Sequence, residues 1–352
     1  MKGSRKKPPA YPRGIVEGFY GVFYTHPERL DLIRFMGRHG FNLYVYAPKN
    51  DRQQRALWWE PYPRQIMVQF IETVREARKA GVRFCYAISP GGSICYSDPQ
   101  DFSRLISKLH DLFRAGVRDF SLMLDDNEPG FRHPIDARRY GTLCEAQASL
   151  ANRLYAWLRS LDPACTLSLV PAEYYGQAPF SRALIGLAAR LHPDIDLCYT
   201  GPEICSSEIT VEDARAFARA AGRKPLIWDN YPANDLSMQP ELHLGPVTGR
   251  EAALVSETRG YLVNPMSLAE ASKVPLLTFA AYLTNPWGYD PAAAWQAALR
   301  EVAGDGDYYS LRILAENAHR QGQRLDRLAR NAEKALREGK LSQPGITTCD
   351  TP

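Results

Sequence analysis

The feature that most constrains this chain is a regular alternation of short apolar segments with longer helical ones, from about residue 13 to residue 305. The short segments are rich in β-branched and aromatic residues, whereas the longer ones place apolar residues at helical spacing. Such alternation is typical of parallel sheets built from βα units. The candidate strands are Gly14–Phe19, Leu43–Tyr46, Arg83–Ser89, Phe120–Leu124, Thr166–Val170, Asp196–Tyr199, Pro225–Asp229 and Gly260–Val263.

The number and spacing of these strands narrow the choice among parallel-sheet folds. Eight strands in about 250 residues predict an α/β fold whose sheet closes into a (β/α)8, TIM-like barrel, in preference to a doubly wound open sheet. The first intervening helix has clear ends, because Thr25 and Glu28 match a capping box and Gly40 suits a left-handed exit. Helices predicted between strands include Pro27–His39, Gln65–Ala80 and Asp136–Ser160.

The two ends of the chain differ from the barrel in composition. Residues 1–12 form a basic segment that is expected to be disordered, residues 13–290 the barrel, residues 291–340 a short C-terminal helical appendage, and residues 341–352 a flexible tail. Within the appendage, Ala292–Val302 and Tyr308–Glu338 have apolar residues at helical spacing. These helices are expected to pack on the barrel, with dimer formation as the alternative, so the oligomeric state stays open.

Charge and residue usage argue against several classes of function. The net charge is +4, and Lys2, Arg5, Lys6, Lys7 and Arg13 precede the first acidic residue, so the remainder is close to neutral and nucleic-acid binding has little support. No apolar run is long enough for a membrane span, and the start lacks a secretory signal pattern, so a cytoplasmic location is expected. The seven cysteines and seven histidines are scattered, which argues against a transition-metal site.

The most informative polar residues follow the fourth strand, which runs directly into Asp125, Asp126 and Asn127. In a (β/α)8 barrel the chemistry is carried by the C-terminal strand ends and the loops after them. Like charges side by side repel, so one carboxyl pKa is expected to rise relative to the other. The segment alone fits three interpretations: a solvated turn, a divalent-metal site, or a catalytic pair of acids.

The adjacency of the two acids restricts the catalytic interpretation. An ordinary retaining glycosidase holds its carboxyl groups about 5–5.5 Å apart on opposite sides of the scissile bond. Consecutive residues at one strand end suit substrate assistance better. In that mechanism the 2-acetamido oxygen of the sugar attacks the anomeric carbon, one aspartate orients the acetamido group, and the other protonates the leaving oxygen.

Residues at the other strand ends favour a sugar as the ligand. Carboxylates and amides bind hydroxyl groups, and the faces of tryptophan and tyrosine pack on the apolar face of a pyranose. Any one of these residues alone could be a turn residue or a core aromatic, but together they are the residue types of a sugar-binding site. Candidates of this kind are Glu17, Lys49, Glu173, Tyr174, Trp228, Asn230, Asp235 and Asn264.

With these residues assembled, the chain closely resembles glycoside hydrolase family 84, whose members include protein O-GlcNAcases and bacterial β-N-acetylglucosaminidases. The resemblance runs from about Arg13 to Pro265. The matching segments occur in the same order as in the family, and they are Val16–Gly21, Tyr46–Lys49, Ile88–Gly91, Asp125–Asn127, Glu173–Tyr174, Thr200–Pro202, Trp228–Asn230, Ala233–Asp235 and Asn264–Pro265.

The resemblance implies a retaining exo-β-N-acetylglucosaminidase that works through an oxazoline intermediate. It implies that Asp125 positions the acetamido group and that Asp126 is the general acid that later activates water. It implies no metal or organic cofactor, and as partners a glycan, glycoprotein or peptide that carries N-acetylglucosamine. The implied substrate-binding residues are Gly18 through its backbone, Lys49, Tyr174, Trp228, Asn230, Asp235 and Asn264.

The chain departs from the family pattern around the place where the aglycone is held. Gln177, Ala178 and Leu236 stand near positions where animal O-GlcNAcases have aromatic residues, so a preference for glycosylated protein is not implied. Two alternatives remain. One is a non-catalytic module that binds N-acetylglucosamine on the same barrel, and the other is an endo-acting hyaluronidase.

Overall fold

The eight predicted strands are present, and they form one closed, parallel barrel in the order β1 to β8. The computed structural model describes residues 11–126 and 130–318. Parallel pairing of Ile15 with Val263 joins β1 to β8 and closes the sheet. The strands are β1 (Arg13–Glu17), β2 (Leu43–Tyr46), β3 (Arg83–Ile88), β4 (Asp119–Met123), β5 (Thr166–Val170), β6 (Asp196–Tyr199), β7 (Leu226–Asp229) and β8 (Gly260–Val263).

Helices follow the strands and cover the outside of the barrel. The capping box predicted for the first helix is confirmed, because the Thr25 side chain accepts from the Glu28 backbone N–H and the Glu28 carboxylate accepts from the Thr25 N–H. Gly40 has a φ of 77°, as expected for a left-handed exit. The helices are α1 (His26–Arg38), α2 (Arg64–Lys79), α3 (Pro99–Arg114), α4 (Pro134–Tyr140), α5 (Leu143–Leu161), α6 (Arg182–Arg190), α7 (Val211–Ala221), α8 (Ala269–Thr284) and α9 (Pro291–Asn317).

The prediction of one helix over Asp136–Ser160 was wrong, because the structure has two helices there. Gly141, with a φ of 71°, follows the last residue of α4. Thr142 then begins α5, its side chain accepting from the Glu145 backbone N–H. A glycine in the left-handed half of φ space followed at once by an N-cap threonine ends one helix and starts the next.

Two separate hydrophobic clusters build the core. The larger one lies between the strands and the surrounding helices, and it includes Ile33, Leu109 and Leu154. The second takes alternate residues along the strands, such as Leu43 and Val45 on β2, and it fills the inside of the barrel. This interior packing leaves the C-terminal strand ends as the place where polar side chains can converge.

The C-terminal part of the described chain packs against the barrel. Helix α9 contacts α8, and the Trp295 indole N–H donates to the Leu244 carbonyl at 2.6 Å. Gly304 interrupts α9 with non-helical angles, φ 65° and ψ −175°. The predicted helix Tyr308–Glu338 lies outside the described residues beyond residue 318, as do the tail at 341–352 and the first ten residues. No helix within 11–126 and 130–318 is long and apolar enough to cross a membrane.

Candidate active site

A pocket of about 310 Å³ opens at the C-terminal ends of the strands. The nine residues that the family resemblance implies for the site all line it, and they come from six strand ends that are far apart along the chain. The predicted residues are Gly18, Lys49, Asp125, Asp126, Tyr174, Trp228, Asn230, Asp235 and Asn264. The remaining wall is formed by Tyr20, Val170, Thr200, Ile204, Cys205, Ala233 and Leu236.

The two aspartates that follow β4 both contact one lysine. The Lys49 ammonium group hydrogen-bonds the Oδ2 atom of Asp125, and it lies 3.3 Å from Oδ2 of Asp126. Asp125 is 5% exposed as a residue, whereas 28% of the Asp126 side chain is accessible, so only Asp126 is well exposed to the pocket. Because one ammonium group reaches both carboxylates, the two acids lie on the same side of the pocket.

Asp126 is held by further groups from other strand ends. Its carboxylate accepts from the Tyr20 hydroxyl at 2.7 Å and from the Tyr174 hydroxyl at 3.2 Å. Burial alone would raise the pKa of Asp126, but the charge of Lys49 and the hydrogen bonds from Tyr20 and Lys49 outweigh it and hold that pKa below its ordinary value. Repulsion from the neighbouring acid, the effect expected from the sequence, is thus outweighed at Asp126 by the lysine.

The opposite wall is a hydrogen-bonded group centred on Asn230. Its side-chain oxygen accepts from the Trp228 indole N–H at 2.8 Å and from the Asn264 amide at 2.9 Å. Its own amide nitrogen donates to the Ile204 carbonyl at 2.7 Å, while the Asn264 oxygen accepts from the Gly18 N–H at 3.2 Å. These mutual bonds fix the amide groups that face the cavity, so the wall is organised before a ligand binds.

Glycine at position 18 is required by the close approach of Trp228. A Cβ atom at this position would lie 2.4 Å from the indole ring, much closer than atoms can approach. The backbone of the loop after β1 therefore lies directly against the indole. This contact lets both groups face the same small cavity.

Asp235 joins the loop after β7 to the loop after β1. Its Oδ2 atom accepts from the Tyr20 backbone N–H at 2.7 Å. Burial raises the pKa of Asp235, and this hydrogen bond partly offsets the rise. The next residue, Leu236, has a φ of 51° and is 64% exposed at the rim of the pocket. A carboxylate and an exposed apolar side chain thus stand side by side at the opening.

Not every acid at a strand end belongs to the pocket. Glu17, a candidate in the sequence, is fully buried and accepts from the Arg29 guanidinium at 2.8 Å through both carboxylate oxygens. It also accepts from the Tyr24 N–H at 3.0 Å and from the Tyr44 hydroxyl. This network ties the loop after β1 to helix α1. Glu17 therefore anchors the segment that carries Gly18 and Tyr20 to helix α1, and it does not line the pocket.

Removing the partner of Glu17 is expected to destabilise the fold. Arg29→Met would leave a buried carboxylate without its cation, and breaking such a pair costs about 3–5 kcal/mol. Urea unfolding measures the loss. Arg34→Met is the matched control on the same helix, because Arg34 is about half exposed where it pairs with Glu76, and an exposed ion pair contributes little to stability. Equal losses in the two variants would contradict the scaffold role of Glu17.

Several groups around the pocket were not predicted as site residues. Tyr20 lay within a recognised segment but had no assigned role, and Arg55 belonged to no motif. Arg55 donates to the Tyr20 hydroxyl at 2.8 Å and to the Asp126 carbonyl at 3.3 Å. Ile204 and Cys205 also line the pocket, but they lie beyond Thr200–Pro202, the segment after β6 that matches the family.

The metal-site interpretation of the segment after β4 involved Asn127, which lies outside the described residues. Over residues 11–126 and 130–318, no group of three or more histidine, cysteine or acidic side chains is arranged to hold a metal ion. The cation that contacts both Asp125 and Asp126 in the structure is the Lys49 ammonium group.

Comparison with known proteins gives a consistent result. A sequence model described as NAGidase, beta-N-acetylglucosaminidase, matches residues 13–316. The proteins named Protein O-GlcNAcase from Rattus norvegicus and Mus musculus are each 35% identical to this chain over 277 residues, which is 76% of this chain and 29% of the relative. This chain therefore spans less than a third of the length of those relatives.

Solved structures agree with the sequence comparison. A mutant of the Thermobaculum terrenum O-GlcNAc hydrolase superposes with a TM-score of 0.86 and 35% identity, covering 94% of this chain and 72% of that one. A structure described as CpGH84B has a TM-score of 0.80 and 31% identity, with coverage of 94% and 58%. The chain belongs to the β-N-acetylglucosaminidase family of glycoside hydrolases, family 84.

Proposed function

We propose that this chain is a retaining exo-β-N-acetylglucosaminidase that releases terminal β-linked N-acetylglucosamine by substrate-assisted catalysis. The observation that carries the proposal is the placement of Asp125 and Asp126 on one side of the pocket, within reach of the same lysine. A double-displacement glycosidase needs an acid and a nucleophile on opposite faces of the sugar. Two acids on one side instead leave the attack to a group of the substrate.

The first chemical step follows from the positions of the two acids. The acetamido oxygen bonds to the anomeric carbon while the bond to the aglycone oxygen breaks. Asp126, the more exposed acid, gives its proton to that oxygen, and Asp125 accepts a hydrogen bond from the acetamido N–H, which strengthens the oxygen as a nucleophile. The products are the departed aglycone alcohol and an oxazoline protonated on nitrogen, whose N–H remains hydrogen-bonded to the Asp125 carboxylate.

The second step reverses these roles. Water attacks the anomeric carbon of the oxazoline, the bond to the acetamido oxygen breaks, and the Asp126 carboxylate takes the proton from water. Two displacements at the same carbon restore the β configuration. Tyr174, whose pKa is raised by burial and by the charges of Asp126 and Asp125, stays protonated and can donate to the acetamido group.

For Asp126 to act as an acid, its low pKa must rise when substrate binds. The Lys49 ammonium is the largest of the influences that lower this pKa. A sugar hydroxyl or acetamido group that engages Lys49, together with the exclusion of water by the sugar ring, removes part of that influence. The pKa then moves upward because burial acts with less opposition.

The remaining pocket groups account for recognition of one terminal sugar. Asp235, Asn230 and Asn264 offer polar atoms for hydroxyl groups, and Trp228 and Gly18 set the shape of the cavity. A volume of about 310 Å³ is at the small end of ligand pockets, which suits a single sugar ring at a chain end. The names of the relatives make an O-GlcNAc-modified protein the first aglycone to test, with glycans as the second.

The acetamido group is the feature of the substrate that tests the proposal most directly. 4-Nitrophenyl β-N-acetylglucosaminide is expected to be hydrolysed, and the matching β-glucoside to be inert, because the glucoside lacks the attacking oxygen. Successive fluorination of the acetyl group is expected to slow hydrolysis steadily, since fluorine withdraws electrons from that oxygen. Rates come from nitrophenolate release, and proton NMR should show the β anomer of the sugar first.

Each alternative gives a different result in the same assays. Comparable hydrolysis of the glucoside would contradict substrate assistance, and release of internal oligosaccharides from hyaluronan would indicate endo action. Binding of N-acetylglucosamine without any product from the aryl substrate would indicate a non-catalytic module.

A further inference from the structure

Asp126 has an unusual backbone conformation for a residue with a side chain. Its φ of 54° lies in the left-handed region, which residues other than glycine adopt uncommonly. Such conformations persist where surrounding contacts hold them, and they cluster at functional sites. The contacts that hold Asp126 are therefore candidates for a role in catalysis.

One side chain is connected to Asp126 in two ways, directly through the backbone carbonyl and indirectly through the Tyr20 hydroxyl. The Arg55 Nη2 group donates to the Asp126 backbone carbonyl at 3.3 Å. Its Nη1 group donates to the Tyr20 hydroxyl at 2.8 Å, and that hydroxyl donates to Asp126 Oδ2 at 2.7 Å. The guanidinium carbon lies 5.5 Å from the centre of the Tyr20 ring. Arg55 thus fixes both the backbone and the carboxylate of the same residue.

The chain of bonds from Arg55 through Tyr20 has a definite direction. A hydroxyl that accepts a hydrogen bond from a cation becomes a stronger donor, so Tyr20 stabilises the ionised form of Asp126 more than an isolated tyrosine would. Proton transfer from the acid to the leaving oxygen creates that ionised form. The hydrogen bonds from Arg55 to Tyr20 and from Tyr20 to Asp126 therefore favour the transfer of the proton from Asp126 to the leaving oxygen.

We propose that Arg55 is a positioning residue that acts through Tyr20 to hold the Asp126 carboxyl group in the orientation required for proton transfer. This inference rests on the proposed function, because it assigns Asp126 the role of general acid. Arg55 is half-buried at the side of the pocket and does not itself line the cavity. Its effect on the reaction is expected to come from the placement and ionisation of Asp126.

The charged and titratable groups that face Asp126 come from the loops after four other strands and from its neighbour in the chain. Lys49 and Arg55 follow β2, Tyr20 follows β1, and Asp125 precedes it in the chain. Tyr174 follows β5, and Asp235 follows β7. The charge of Arg55 is one of the influences that hold the pKa of Asp126 low, after Lys49 and the hydrogen bonds from Tyr20 and Lys49. Removing it should raise that pKa.

Arg55→Met is expected to shift the pH profile to higher pH and to slow mainly the substrates whose leaving group must be protonated. Hydrolysis requires protonated Asp126, so activity falls as pH rises through the pKa of this residue. A raised pKa shifts this alkaline limb of kcat, which reports the acid in the substrate complex, to higher pH by roughly one pH unit. A misplaced acid should slow an aryl glycoside with a poor leaving group by up to about 10²-fold, whereas a dinitrophenyl glycoside, which needs little protonation, should change only slightly.

Further variants separate positioning from general damage. Arg55→Lys keeps the charge, so its alkaline limb should stay near that of the wild type while part of the rate is lost. Tyr20→Phe removes the linking hydroxyl, and its effect should not add to that of Arg55→Met if both act through one contact. Arg52→Met, an exposed arginine on the same loop, is the matched control and should leave both measurements unchanged.

The outcomes distinguish this inference from the proposed function. Wild-type protein that hydrolyses no aryl N-acetylglucosaminide would refute the proposed function itself. An active wild type with an Arg55→Met variant that loses activity equally on both leaving groups, with an unmoved alkaline limb, would refute only the role of Arg55. A shifted limb with selective loss on the poor leaving group would support it.

Discussion

Asp126→Asn is expected to lower kcat/KM for an aryl N-acetylglucosaminide with a poor leaving group by about 10²–10⁴-fold, the usual contribution of a positioned general acid. The amide has nearly the same shape as the carboxylic acid but cannot donate the required proton. A dinitrophenyl glycoside should lose much less in the first step, because its leaving group departs without protonation. Steady-state kinetics with a series of aryl leaving groups measures the difference.

The leaving-group series also shows whether Asp126 serves in the second step. With a very good leaving group the oxazoline forms quickly, and its hydrolysis then limits the rate because water is no longer activated. A burst of phenol release is therefore expected for Asp126→Asn with the dinitrophenyl substrate. Unfolding in urea should be close to that of the wild type. Unimpaired hydrolysis of the poor substrate would rule out the general acid assignment.

The barrel could be predicted from the sequence because its determinants are local. Each strand has a period of two or an unbroken apolar run, and four of the predicted strands, such as Leu43–Tyr46, match the structure at both ends. The nine site residues could be grouped because polar residues after parallel strands meet at one edge of the sheet. The individual residues indicate a sugar as the ligand, and only the family resemblance indicates that this sugar is N-acetylglucosamine.

The electrostatics of the site could not be predicted in the same way. Lys49 is 76 residues from Asp125 in the chain, and the sequence does not show that its ammonium group contacts both acids. The sequence shows that two acids are neighbours and should repel each other. Whether a cation lies close enough to outweigh that repulsion at Asp126 is decided by how the loops after β2 and β4 pack together. Arg55 was missed for the same reason, because its partners are 35 and 71 residues away.

The structure separates two kinds of strand-end acid that look alike in the sequence. Glu17 and Asp229 are each buried against an arginine, Arg29 and Arg250, and they support the loops from behind. Asp126 and Asp235 instead line the cavity. An arginine within bidentate reach thus marks an acid of the scaffold. In the sequence, Arg29 lies 12 residues after Glu17 and Arg250 lies 21 residues after Asp229, and no motif marks either pair.

Asp125→Asn, the same substitution one residue earlier, is expected to act on a different part of the reaction. Asp125 is proposed to orient and polarise the acetamido group, so its loss should slow oxazoline formation by about 10²–10³-fold, the usual effect of removing one electrostatic stabiliser. Because ring closure is needed whatever the aglycone, poor and good leaving groups should be slowed alike. The two asparagine variants therefore serve as controls for each other in the leaving-group series.

Asp125→Asn is also expected to shift the pH profile, in the direction opposite to the shift expected for Arg55→Met. Removing a neighbouring negative charge, while Lys49 remains, lowers the pKa of Asp126 further. The protonated acid is then lost at lower pH, so the alkaline limb of kcat should move down, whereas Arg55→Met should move it up. Measuring both profiles on one aryl substrate compares an anion and a cation acting on the same carboxyl group. Shifts in the same direction would contradict Asp126 as the group that titrates.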